Sequence, residues 1–122
     1  MPLQIVERRV GDVTFLMFSG RIVLEEGVET LRSAVDALVQ EGRLDVVLDL
    51  HDVTYIDSCG IGTLVAKCVS LRKAGGDLEL LCPSDRCRRM LEVTGLLEAV
   101  FDVCESEAAA LSHAAARHHA SG

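Results

Sequence analysis

The residues best placed to do chemistry are Asp57, Ser58, Cys59 and Gly60, which stand between an apolar run and a helical period. Val46, Val47 and Leu48, with Leu50, read as a strand buried on both faces. Thr54, Tyr55 and Ile56 follow, and Ile61, Leu64, Val65, Cys68 and Leu71 then recur at helical spacing. Ser58 therefore falls at or beside a helix start. Its hydroxyl lies next to backbone N–H groups that have no helical partner and next to the positive end of the helix dipole. Two kinds of chemistry fit this place. Asp and Ser are favoured helix caps, and either can simply satisfy backbone donors. A serine here can also carry a phosphate, because a helix N-terminus accommodates negative charge. Asp57 can orient the Ser58 hydroxyl or only cap. Gly60 and Gly62 allow either close approach of another backbone or a tight turn. A Cys59 thiolate would be stabilised by the same helix terminus, which gives a redox alternative.

Other chemistry finds little support. The remaining cysteines, at positions 68, 82, 87 and 104, form no CxxC pair, and His51, His113, His118 and His119 offer no zinc-like spacing with them. They read as small core residues in a reducing compartment. No Ser/His/Asp set is visible, and neither GxSxG nor GxxxxGK[ST] occurs. Neither an enzyme activity, a metal nor a cofactor is expected. The formal charge of −7 argues against nucleic acid as a partner. Nearly half of the 122 residues are hydrophobic, yet no run approaches a membrane span and residues 2–9 hold no signal-peptide core, so no direct membrane insertion is expected.

The elements that must position the Asp57/Ser58 turn follow from pattern. Residues 3–10 and 13–19 read as two strands joined at Gly11-Asp12. Leu31, Ala34, Val35, Leu38 and Val39 form an amphipathic helical stripe closed by Gly42. The strand at 46–50 is followed by a loop over 51–57 and the helix carrying Ser58, which ends at Gly75-Gly76. A strand over 77–82, a helix capped by Ser84, a short strand at 100–103 and an alanine-rich helix from residue 105 complete the chain. This order predicts a single α/β domain: a mixed, mostly parallel sheet with helices packed against it. Functional loops in such sheets gather beyond the carboxyl ends of the strands.

Residues 46–62, VVLDLHDVTYIDSCGIG, resemble the STAS domain, and specifically the small bacterial anti-sigma-factor antagonists. In that family a buried strand leads to Asp-Ser-(Ser/Thr)-Gly-(Leu/Ile)-Gly, matched here by Asp57, Ser58, Cys59, Gly60, Ile61 and Gly62. Phe18-Ser19-Gly20-Arg21-Ile22, Gly75-Gly76-Asp77-Leu78-Glu79-Leu80 and Leu91-Glu92-Val93-Thr94-Gly95-Leu96 are similar to further family segments, so that residues 3–112 are covered in order. The resemblance implies a STAS domain over 1–112, with 113–122 as a helix end that frays from residue 117. It implies partner switching in the cytoplasm. The unphosphorylated chain would bind an anti-sigma factor that is itself a serine kinase, phosphorylation of Ser58 would release it, and a phosphatase would reset it. Gly20, Arg21, Ile22, Thr54, Tyr55, Asp57, Cys59, Gly60, Ile61 and Gly62 would face the partner. The sequence departs from the pattern at Cys59, at Arg21 in place of Glu, and at Val23 in place of an acidic residue, with Glu25 and Glu26 close by. A second reading is a STAS scaffold subunit of a lipid-transport ABC complex, which has no need of a phosphoacceptor.

Overall fold

The structure is a computed structural model that describes residues 3–24 and 26–121. β1 (Gln4–Val10) and β2 (Val13–Ile22) form an antiparallel hairpin turned at Gly11-Asp12, where Gly11 takes φ 58°. α1 (Val28–Gln40), β3 (Asp45–Ile56), α2 (Ser58–Lys73), β4 (Asp77–Leu81), α3 (Asp85–Val93), α4 (Leu96–Val100), β5 (Asp102–Cys104) and α5 (Glu107–Ser121) follow. The sheet order is β1-β2-β3-β4-β5, and every pairing after the hairpin is parallel. The mixed, mostly parallel sheet expected from the pattern is the one observed.

The two faces of the sheet differ. One carries the larger core, in which Leu16, Phe18, Val46, Leu48 and Leu50 meet Leu31, Val35 and Leu38 of α1, Leu64, Cys68 and Leu71 of α2, and Cys87 and Leu91 of α3. On the other face Val13, Phe15, Val47, Leu81 and Cys104 meet Ala110 and Ala114 of α5, with Ala109 and Leu111 packed at the margin. β3 is thus buried on both sides, as its continuous apolar run predicts.

Two strands run further than the sequence suggested. Residues 20–22 were expected in a loop, but β2 continues through Ile22. Residues 51–56 were expected to leave the sheet, but β3 continues through Ile56. The reason is mutual pairing: Ser19 lies opposite Asp52, Gly20 opposite Val53, Arg21 opposite Tyr55 and Ile22 opposite Ile56. Register shifts at Met17/Ser19 and Gly20/Arg21, with Gly20 at φ 119°, let both strands turn their isoleucines into the core. β4 pairs with β3 only as far as Asp49, so the two ends project together past the rest of the sheet.

Of the end expected to fray from residue 117, Gly122 lies outside the described residues. α5 is helical through Ser121, because Arg117 reaches two buried carboxylates, Glu79 at 2.7 Å and Asp45 at 3.0 Å. His118 also bonds Asp45, and His113 lies 3.2 Å from Glu79. No helix among the described residues is long and apolar enough to cross a membrane.

Two stability predictions follow from the α5 face. Arg117→Met leaves Asp45 and Glu79 buried without their shared cation and costs about 3 kcal/mol in urea unfolding. Burial, and the hydrogen bond to Glu79, push the Cys104 thiol from its ordinary 9.0 up to about 12. The folded chain therefore keeps a proton that the unfolded chain gives up near 9. Stability should fall as the pH rises above about 9, and Cys104→Ala should flatten that slope.

Candidate functional site

The projecting ends of β2 and β3 bring two helix starts against one short stretch of backbone. Gly27, which precedes α1 at φ 103°, lies so close to β2 that a Cβ there would stand 2.4 Å from the Arg21 carbonyl oxygen. Gly60, in the first turn of α2, approaches the next carbonyl in the same way: its Cβ would stand 2.4 Å from the Ile22 oxygen and 2.7 Å from Ile56 Cγ1. The Ile22 carbonyl also accepts the Asp57 N–H at 3.2 Å. Gly60 is therefore required by contact within the chain itself, whereas nothing lies within 4 Å of a Cβ at Gly62.

Asp57 is the N-cap of α2. Its Oδ1 accepts the Gly60 N–H at 2.8 Å, and its Oδ2 accepts the Leu24 N–H at 3.0 Å. One carboxylate thus caps the helix and ties down the turn that follows β2. That turn is closed by a reciprocal pair, Val23 N–H to Glu26 O at 2.8 Å and Glu26 N–H to Val23 O at 3.0 Å. Because Asp57 fills the cap, Ser58 is left as the first helical residue. It is exposed, and its hydroxyl makes no hydrogen bond among the described residues. Of the two roles open to Ser58 from sequence, capping belongs to its neighbour.

The candidate residues assemble at this one end of the molecule but divide by depth. Arg21, Thr54, Ser58, Cys59 and Gly62 are exposed, and Gly20, Tyr55 and Asp57 are half-buried. Thr54 Oγ1 donates to the Gly20 carbonyl at 3.2 Å, and the Arg21 guanidinium lies 5.8 Å above the Tyr55 ring. Ile22, Gly60 and Ile61 are buried beneath the exposed residues of this surface. Val23 is half-buried in its turn, and Glu26 is held in the same turn by its backbone; Glu25 lies outside the described residues. Leu24, 63% exposed, was not singled out from sequence, although a lone leucine between a strand end and two glutamates is a visible signal.

The one close group of potential ligands among the described residues, Asp77, Glu79 and Asp102, includes the first residue of β4, away from the projecting ends, and is engaged by Arg72 and Arg117. An open cleft of about 500 Å³ beside Thr54 is lined by His51, Asp52, Val53, Ser84 and Arg86. Among the cysteines, burial pushes the thiols of Cys68 and Cys87 up, and only Cys59 is exposed.

A family model for the STAS domain matches residues 4–110, and the chain belongs to the STAS-domain family. The anti-sigma-B factor antagonist of Staphylococcus aureus is 35% identical over 69 residues, which are 57% of this chain and 64% of that protein. The matched stretch is thus just under two thirds of that relative's length. The anti-sigma-B factor antagonist of Bacillus subtilis is 35% identical over 77 residues, 63% of this chain and 70% of that one. The backbone also superposes on a crystal structure from Thermotoga maritima with a TM-score of 0.82 at 25% identity, covering 90% of this chain and 93% of the other.

The two motif glycines should respond differently to a methyl group. Gly60→Ala drives a Cβ into the Ile22 carbonyl and is expected to destabilise the fold by about 2 kcal/mol. Gly62→Ala meets empty space and gains helix propensity, so chemical denaturation should find it unchanged or up to about 1 kcal/mol more stable.

Proposed function

We propose that this chain is an anti-sigma-factor antagonist regulated by phosphorylation of Ser58. The observation that carries the reading is the division of labour at the α2 start: Asp57 caps the helix, so the exposed Ser58 hydroxyl is free for another use. The similarity to the two anti-sigma-B factor antagonists supports the same reading. In its unphosphorylated form the chain binds an anti-sigma factor with serine-kinase activity and so frees a sigma factor in the cytoplasm. That kinase transfers the γ-phosphoryl group of ATP to Ser58 Oγ, and the hydroxyl proton is lost. The added charge of about −1.5 to −2 and the three acceptor oxygens must then be accommodated in a packed interface. Desolvation and repulsion open it. A phosphatase hydrolyses the ester and restores the binding form. In this cycle the chain is a substrate of catalysis.

The contact surface of this reading comprises Arg21, Thr54, Tyr55, Asp57, Ser58 and Cys59 with Gly20 and Gly62, supported from below by Ile22, Gly60 and Ile61. Phosphopeptide mapping of the protein from its own cells tests it. Ser58 should carry a phosphate whose occupancy changes between growth and stress, and Ser58→Ala should stay locked in the partner-bound form. A Ser58 that is bare under every condition would refute the switch and leave a scaffold role.

A further inference from the structure

The largest apolar side chain exposed at the Ser58 end of the molecule is Leu24, and it is held in place. Its N–H is bonded to the same carboxylate that caps the Ser58 helix, and its turn is closed in both directions by Val23 and Glu26. A leucine left 63% in water on a fixed turn gives up little freedom when it docks, so its burial is available to a partner almost in full. Val6, Met17, Val69 and Val93 are also exposed, but none of them is hydrogen-bonded to the residues that frame Ser58. The second feature is a cation. Arg21, opposite Tyr55 in the strand pair, is exposed, rests over that ring at 5.8 Å and forms no ion pair among the described residues. It is an exposed cation at this end of a chain of net charge −7.

We infer that Leu24 and Arg21 form the partner-reading edge of the Ser58 site, and that the anti-sigma kinase meets them with an apolar pocket bordered by a carboxylate. This rests on the phosphorylation reading above and adds the chemistry of the partner's surface. A guanidinium already oriented on an aromatic face suits a planar, bidentate carboxylate, and lysine would match it poorly in geometry though not in charge. Leu24 supplies contact area, and Arg21 selects among partners.

The test reads Ser58 phosphate occupancy by mass spectrometry in the native cells, where the cell's own kinase is the probe, for the natural chain and for L24A, L24M, R21E and R21K. Removing the Leu24 side chain beyond Cβ should lower the initial rate of Ser58 phosphorylation by about tenfold, and methionine, similar in volume, should restore most of it. Arg21→Glu should lower the rate at least as far, and Arg21→Lys only partly. Urea midpoints should be unchanged for all four, since both side chains are exposed. If the natural chain is phosphorylated and L24A and R21E are phosphorylated just as fast, the inference fails and the phosphorylation reading stands. If Ser58 is never phosphorylated in the natural chain, both fail together.

Discussion

The close approach of α2 to the end of β2 is the constraint on which the rest of this end of the molecule depends. The Ile22 carbonyl takes the Asp57 N–H, and the space where Gly60 would carry a Cβ is filled by that same carbonyl and by Ile56. With the helix pressed this far down, Gly60 and Ile61 are committed to the interior and Ser58 and Cys59 turn outward. A bulkier residue at position 60 would lift the helix, lengthen the Asp57–Leu24 bond and blur the distinction between cap and free hydroxyl. The geometry around Ser58 is therefore a consequence of packing beneath it.

The other end of the sheet is held by different means. There α5 contributes Ala110 and Ala114, with Leu111 and Ala109 beside them, to the apolar contact, and a polar attachment is added: Arg117 spans β3 and β4 through Asp45 and Glu79. Buried carboxylates are tolerable there because a cation and two histidines face them. The α1–α3 face is built on large aliphatic side chains, with Arg72–Asp77 and Lys67–Asp36 as its ion pairs. The Ser58 end thus belongs to the face fixed mainly by apolar packing.

Much of this was legible in the sequence. The alternation of strand and helix periods, the buried run at residues 46–50 and the Ser84 cap all have direct physical readings that the structure matches, although the strand read at 100–103 is Asp102–Cys104 and Val100 ends the short helix α4. The extension of β2 and β3 was not legible, because Gly20 and the mixed pattern of residues 51–56 look like loop when each is read alone. Only their mutual pairing makes them strand. Nor could pattern assign the cap between Asp57 and Ser58, since both are good caps and the choice turns on which side chain can reach both Gly60 and Leu24. Nor could pattern show what the end of α5 touches: its Arg117 finds partners more than thirty residues away in sequence, at Glu79 and Asp45.

A phosphorylation switch makes a particular demand on its fold, namely that the fold should not respond to the modification except at its surface. Ser58 meets that demand because its side chain holds nothing: the cap, the tether to Leu24 and the contact with β2 are made by Asp57 and Gly60. Both oxygens of the Asp57 carboxylate already have donors, so a phosphate on the neighbouring residue cannot take over the cap without breaking two hydrogen bonds. On the proposed function, the switch is then read entirely by the partner. On that reading a single ester reverses an interaction without unfolding the helix that bears it, and the stability of the domain and the affinity of its surface are tuned by separate residues.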